Sequence, residues 1–189
     1  MELCLNRPVA INFVLFQLGW FACVLGGAWL WPWAGVAFVA GASAWHLSQV
    51  TNPRGEAMLL GLAMLLGTVV DSVLPALGWV SFPSGQLHPA MAPVWIIALW
   101  ALFAGTLNSS MQWLKGRYLL ACAFAAIGSP LSFYAGSRLG AVTLLEPVPA
   151  LAAQALMWAL VLPLLVWLAG RLAHPERRHT APLAAPIAE

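Results

Sequence analysis

The chain has 189 residues, of which 62% are hydrophobic and 7% charged, and its formal net charge is +2. An ordinary soluble domain carries about 25% charged residues, so there are too few here to cover a water-facing surface. The composition is that of a polytopic membrane protein, and the near-neutral charge gives no reason to expect a nucleic-acid partner. Cys4, Cys23 and Cys122 are an odd set without short spacing. They give neither a disulfide framework nor a metal motif, and read as small packing residues.

Six apolar spans are predicted, at about 9–30, 33–50, 57–77, 94–114, 117–134 and 150–172. The fold class expected is all-α, a six-span integral membrane domain over residues 1–173. The first span, from Val9 to Leu30, is longer than a signal-peptide core and lacks a small-residue cleavage site, so it reads as a retained helix. Trp31-Pro32-Trp33 is a very short link and predicts an antiparallel hairpin of the first two spans. In Thr51-Asn-Pro-Arg-Gly55, Pro and Gly in series break the chain before the third span. The link from Gly78 to Pro93 is longer and holds no Lys or Arg, whereas Lys115-Gly-Arg117 is a tight basic turn. Residues 134–149 are moderately apolar, with Arg138 and Glu146, and fit a loop, an interfacial helix or a re-entrant piece. Residues 174–189 are rich in Pro and Ala and read as a disordered cytoplasmic tail.

Basic residues set the orientation. Six spans put Arg7, Arg54, Lys115, Arg117, Arg171, Arg177 and Arg178 on one side and Arg138 alone on the other. The positive-inside rule then places both termini in the cytoplasm. Trp29, Trp31, Trp33, Trp79 and Trp95 gather at the outer ends of spans, as an aromatic belt would.

The third span carries an acid, Asp71, in its outer half. At the centre of a membrane helix a carboxylate costs about 2.5–3.5 kcal/mol, somewhat less near an end, so neighbouring helices must shelter it. Gly67, Thr68, Leu74 and Pro75 share its face, a stripe suited to packing on another helix. Arg138 is the natural ionic partner, being the only basic residue on the outer side. Such a pair either pins two helices together or makes Asp71 and Arg138 candidate catalytic residues, Asp71 as an acid/base or headgroup-binding group; the remaining alternative is an Asp71 that is protonated and merely hydrogen-bonded.

The fourth span has Ala101, Gly105 and Ser109 at four-residue spacing, with Asn108 and Gln112 beside them and Ser110 close by. These side chains give either interhelical hydrogen bonds or a pocket for a substrate headgroup, with Asn108, Ser110 and Gln112 as binding candidates. Asn12 and Gln17 in the first span are five residues apart, about 140° round a helix, and cannot face one small pocket. His46 and Gln49 sit at the inner end of the second span, where a lone His usually snorkels or caps, while His88 and Glu146 could border the Asp71 site. In the fifth span, Pro130 withholds a helix donor, so Gly128 to Tyr134 is a kink or the wall of a site, and Tyr134 is a further binding candidate. Pro163 predicts a kink in the sixth span.

Four scattered His residues cannot form histidine boxes, and no G-x-S-x-G elbow, P-loop or arginine ladder is present. No cofactor and no metal are expected.

Asn12 with Phe16-Gln17 and Gly19-Trp20, Gly67 with Asp71, Ala92-Pro93-x-Trp95, the run from Trp100 through Phe103-Ala104-x-Thr106-Leu107-Asn108-x-Ser110 to Trp113-Leu114, and Gly128-x-Pro130-Leu131 with Tyr134-x-Gly136 and Leu139-Gly140-Ala141 form one set of motifs. In this combination the chain resembles an uncharacterised family of small bacterial inner-membrane proteins, the domain of unknown function 2878. Related sequences often have Gly-Gly-Pro and Asn-His-Ser where this chain has Gly128-Ser129-Pro130 and Asn108-Ser109-Ser110. The resemblance carries over no catalytic residue. Members are often encoded near enzymes resembling cyclopropane-fatty-acid synthases, which implies membrane lipids and a lipid-modifying enzyme as partners. The function expected is therefore a lipid-linked enzyme subunit or accessory factor. The alternatives are a small transporter or flippase and a non-catalytic scaffold.

Overall fold

The computed structural model describes residues 7–173. The tail expected over 174–189, and Cys4, lie outside the described residues. Among the described residues there are six α-helices: α1 (Arg7–Ala28), α2 (Pro32–Gln49), α3 (Pro53–Ala76), α4 (Val94–Leu107), α5 (Tyr118–Arg138) and α6 (Pro147–Ala173). A two-stranded antiparallel ribbon, β1 (Val80–Ser81) with β2 (Thr143–Leu144), ties the α3–α4 link to the α5–α6 link.

Proline opens three of these helices, at Pro32, Pro53 and Pro147, where a missing N–H costs nothing. Asn52 caps α3, its Oδ1 accepting from the Gly55 backbone N–H at 3.1 Å. The Asn52 amide also donates to the Leu172 carbonyl of α6 at 2.9 Å, which joins the start of α3 to the end of α6. Exposed Arg7, Arg54, Lys115, Arg117 and Arg171 stand at this basic end, and Arg138 stands at the opposite end.

Among the described residues four helices, α1, α3, α5 and α6, are long and apolar enough to cross a membrane. The 14 residues of α4 rise about 21 Å, less than the roughly 30 Å of a hydrocarbon core. Nonetheless α4 is central, packing on α1, α2, α3 and α6, while α5 packs chiefly on α6. Small residues make this possible, as expected where apolar burial alone does not drive helices together. Gly35 of α2 sits against the backbone of Cys23 in α1, leaving no room for a side chain.

The fourth helix is shorter than the 94–114 expected. It stops at Leu107, Ser109 and Met111 both turn back to the Thr106 carbonyl, and a single 3-10 turn covers Gln112–Leu114. Asn108-Ser109-Ser110 are poor helix formers, and the Asn108 amide and Ser110 hydroxyl bond to Glu56 of α3 and Asn12 of α1 instead. The Ala101, Gly105, Ser109 stripe therefore does not continue as one helical face, nor do Asn108 and Gln112 share one. The ambiguous stretch 134–149 resolves into the last turn of α5, a reversal at Gly140 (φ 86°), strand β2 and the first turn of α6. Both α5 and α6 run unbroken through Pro130 and Pro163. Of the expected tryptophan belt, Trp29, Trp31 and Trp33 are exposed, but Trp95 is buried in the core.

Candidate functional site: a buried carboxylate in an aromatic cavity

Gly67 and Asp71 are one turn apart on α3, and together they seat Trp100 of α4. The glycine leaves room for the indole to lie flat on the helix, where any β-carbon would collide with the ring. The indole Nε1–H then donates to Asp71 Oδ2 at 2.7 Å. Gln154 of α6 approaches from the other side, its Nε2 donating to Asp71 Oδ1 at 3.1 Å. Ser129 of α5 donates in turn to Gln154 Oε1 at 3.3 Å. Asp71 is 5% exposed and Gln154 2%. A hydrogen bond to a charged group contributes about 1.5–3 kcal/mol, so two of them are comparable with the roughly 2.5–3.5 kcal/mol that a carboxylate costs in an apolar membrane helix.

The expected Asp71–Arg138 ion pair does not form. Arg138 is exposed at the end of α5, and α3 packs on α4 and α6, so the acid meets Trp100 and Gln154 instead. Among the described residues the one base–acid contact within 4 Å is His46–Glu56, and it is ionic only when the imidazole carries a second proton.

Asp71 lines a cavity of about 670 Å³ that runs along α4 between α1, α5 and α6. Its walls are aromatic. Trp158 stacks on Trp100 with ring centres 4.4 Å apart and planes 25° from parallel, and Phe103 meets Trp158 edge to face at 5.2 Å. Phe13 and Phe21 of α1, Phe124 of α5 and Trp113 also line it, each about half exposed, so the cavity opens on the flank of the bundle between α1 and α5. Across that opening Trp20 Nε1–H donates to Ser132 Oγ at 3.0 Å. Ser129 and Ser132, flanking Pro130, are part of the wall, which is one of the two roles expected for this stretch.

A second polar cluster lies at the basic end. Glu56, 4% exposed in the first turn of α3, pairs with His46 Nε2 at 3.2 Å and accepts from the Asn108 amide. Asn108 Oδ1 is buried without a hydrogen-bond partner. Asn12 donates to the Gly105 carbonyl at 3.0 Å and accepts from Ser110 Oγ at 2.7 Å. His46 thus neither snorkels nor caps. Asn12 borders a small pocket beside His46 whereas Gln17 lines the large cavity, in keeping with their angular separation.

The sequence candidates therefore divide. Asp71 and Ser110 line the cavity, and Asn108 belongs to the Glu56 cluster. Gln112 and Tyr134 are exposed and line neither of these two cavities, and His88 and Glu146 are exposed as well. Sequence reasoning passed over Gln154, Trp158 and Glu56. Gln154 had a signal, being a lone amide in an apolar helix with Trp158 one turn further on. Glu56 had none, because an acid in a first helical turn is ordinary. Among the described residues no three His, Cys, Asp or Glu side chains come together as a metal site would require.

No curated protein and no solved structure matches the chain. The family model described as a protein of unknown function, DUF2878, matches residues 9–164, and the chain belongs to that family.

Proposed function

We propose that this protein is a multi-pass membrane protein that binds an amphiphile with an apolar tail, as a lipid-linked enzyme subunit or accessory factor working near phospholipid acyl chains. In this reading all six helices sit in a bacterial inner membrane with both termini cytoplasmic, and the basic end of the bundle faces the cytoplasm. The observation that carries it is the aromatic cavity of about 670 Å³, polar at Asp71 and open on its flank between α1 and α5. A pocket of several hundred cubic ångströms, mostly apolar with a few convergent polar groups, is the usual form of a small-molecule site. Its lateral mouth suits a ligand arriving from the bilayer rather than from water.

The test is mass spectrometry of lipids co-purified with the protein. Gly128 lines the cavity, and a β-carbon there meets nothing within 4 Å. Gly128→Phe should fill the space, keep the fold and lose the bound lipid. Retention of the same lipid at the same occupancy would refute the assignment. In cells, a deletion strain and an Asp71→Asn strain should share one altered acyl species. Unchanged lipids with altered uptake or efflux would favour a transporter instead.

A further inference from the structure

The polar end of the cavity says which headgroup it would take. Asp71 is the only charged residue among those lining it. A carboxylate offers about four lone-pair positions. Trp100 and Gln154 fill two of them, and both are neutral donors, so neither cancels the charge. The rings beside this acid are placed by the same helical turns as its donors. Trp158 follows Gln154 by four residues on α6, and Phe103 follows Trp100 by three on α4. Trp100 itself has both faces covered, one by Gly67 and one by Trp158, leaving Trp158, Phe103 and Trp20 as the walls a ligand can reach.

A buried carboxyl group whose hydrogen-bond partners are both neutral, in a cavity walled by indole and phenyl rings, is the chemistry that recognises an ammonium group, because a bound cation itself favours the ionised acid. The acid supplies the counter-charge, and the rings supply quadrupole attraction without needing hydrogen-bond donors. An anionic head would be repelled. A neutral hydroxyl head would fill the lone pairs but leave the charge uncancelled in a low-dielectric wall. We infer that the Asp71 end of the cavity binds the ammonium head of an amphiphile, with its apolar tail lying along the aromatic trough between α1 and α5.

This inference rests on the reading of the cavity as an amphiphile site, and the experiment separates the two. The full-length protein, purified in a maltoside detergent, is titrated with dodecyltrimethylammonium, dodecylamine, dodecanol and dodecanoate while thermal stability and tryptophan fluorescence are followed. Both ammonium compounds should bind at least about tenfold more tightly than dodecanol, and dodecanoate most weakly. Asp71→Asn should bring the ammonium compounds down to the level of dodecanol. Because that variant also removes a helix-joining group, Trp158→Leu serves as a second one, and it should weaken ammonium binding more than dodecanol binding. Equal affinity for all four heads would overturn the ammonium assignment and leave the amphiphile reading intact. Binding of none of them would overturn both. Nanodiscs of equal parts phosphatidylethanolamine and phosphatidylglycerol identify the source. Enrichment of the ethanolamine lipid in native mass spectra points to a phospholipid head. Tight dodecylamine binding with neither lipid enriched points to a free cationic amphiphile.

Discussion

Gly67 lies directly beneath the indole of Trp100, close enough that a single added methyl group would strike the ring. The neighbouring turn holds Asp71, whose Oδ2 accepts from that same indole at 2.7 Å. Removing the space and removing the hydrogen bond are therefore separable experiments. Gly67→Ala should destabilise the bundle by about 1–3 kcal/mol through overpacking. Trp100→Phe keeps most of the ring but deletes the donor, and should cost about 1.5–3 kcal/mol by leaving a buried charged acceptor short of a partner. Denaturation midpoints of the two purified variants check both figures. A Gly67→Ala protein as stable as wild type would mean the ring has somewhere else to go.

Gln154 and Arg138 make opposite forecasts. Gln154 is buried and bonded to Asp71 at 3.1 Å, whereas Arg138 is exposed at the end of α5. Gln154→Leu should lower stability by about 1.5–3 kcal/mol, and Arg138→Ala should stay within about 0.5 kcal/mol of wild type. Thermal scans of the two variants in one detergent compare them directly. The reverse ranking would show that Asp71 depends on the arginine after all.

At the basic end, His46 and Glu56 join α2 to α3, and Asn108 joins α3 to the end of α4. A double-mutant cycle on His46→Ala and Glu56→Gln should return a coupling of about 1 kcal/mol, the size seen for polar contacts between membrane helices. Additive single effects would reduce the pair to coincidence.

Reporter fusions test the orientation. Fusions after Gly55 and Gly116, at the basic end, should report cytoplasm, and one at Gly85 should report periplasm. A cytoplasmic signal at Gly85 would reverse or break the six-span arrangement.

Much of this was legible in the chain because a bilayer permits few solutions. Apolar runs of fixed length had to become helices, since lipid offers backbone groups no partner. Prolines at 32, 53 and 147 open helices, and the basic residues gather at one end as their order in the sequence requires. Even the need to shelter Asp71, and the small-residue face that does so at Gly67, followed from composition and spacing. The partners did not. Whether Asp71 meets Arg138 from α5 or Trp100 and Gln154 from α4 and α6 depends on which helices are neighbours, and hydropathy is blind to that. The stop at Leu107 falls at three short polar residues, two of which bond to α3 and α1, where the apolar run alone would have continued the helix. The cavity belongs to the tertiary structure altogether, because it is the gap that remains where α1 and α5 stand apart on either side of α4, and a space between helices has no residue of its own to be read.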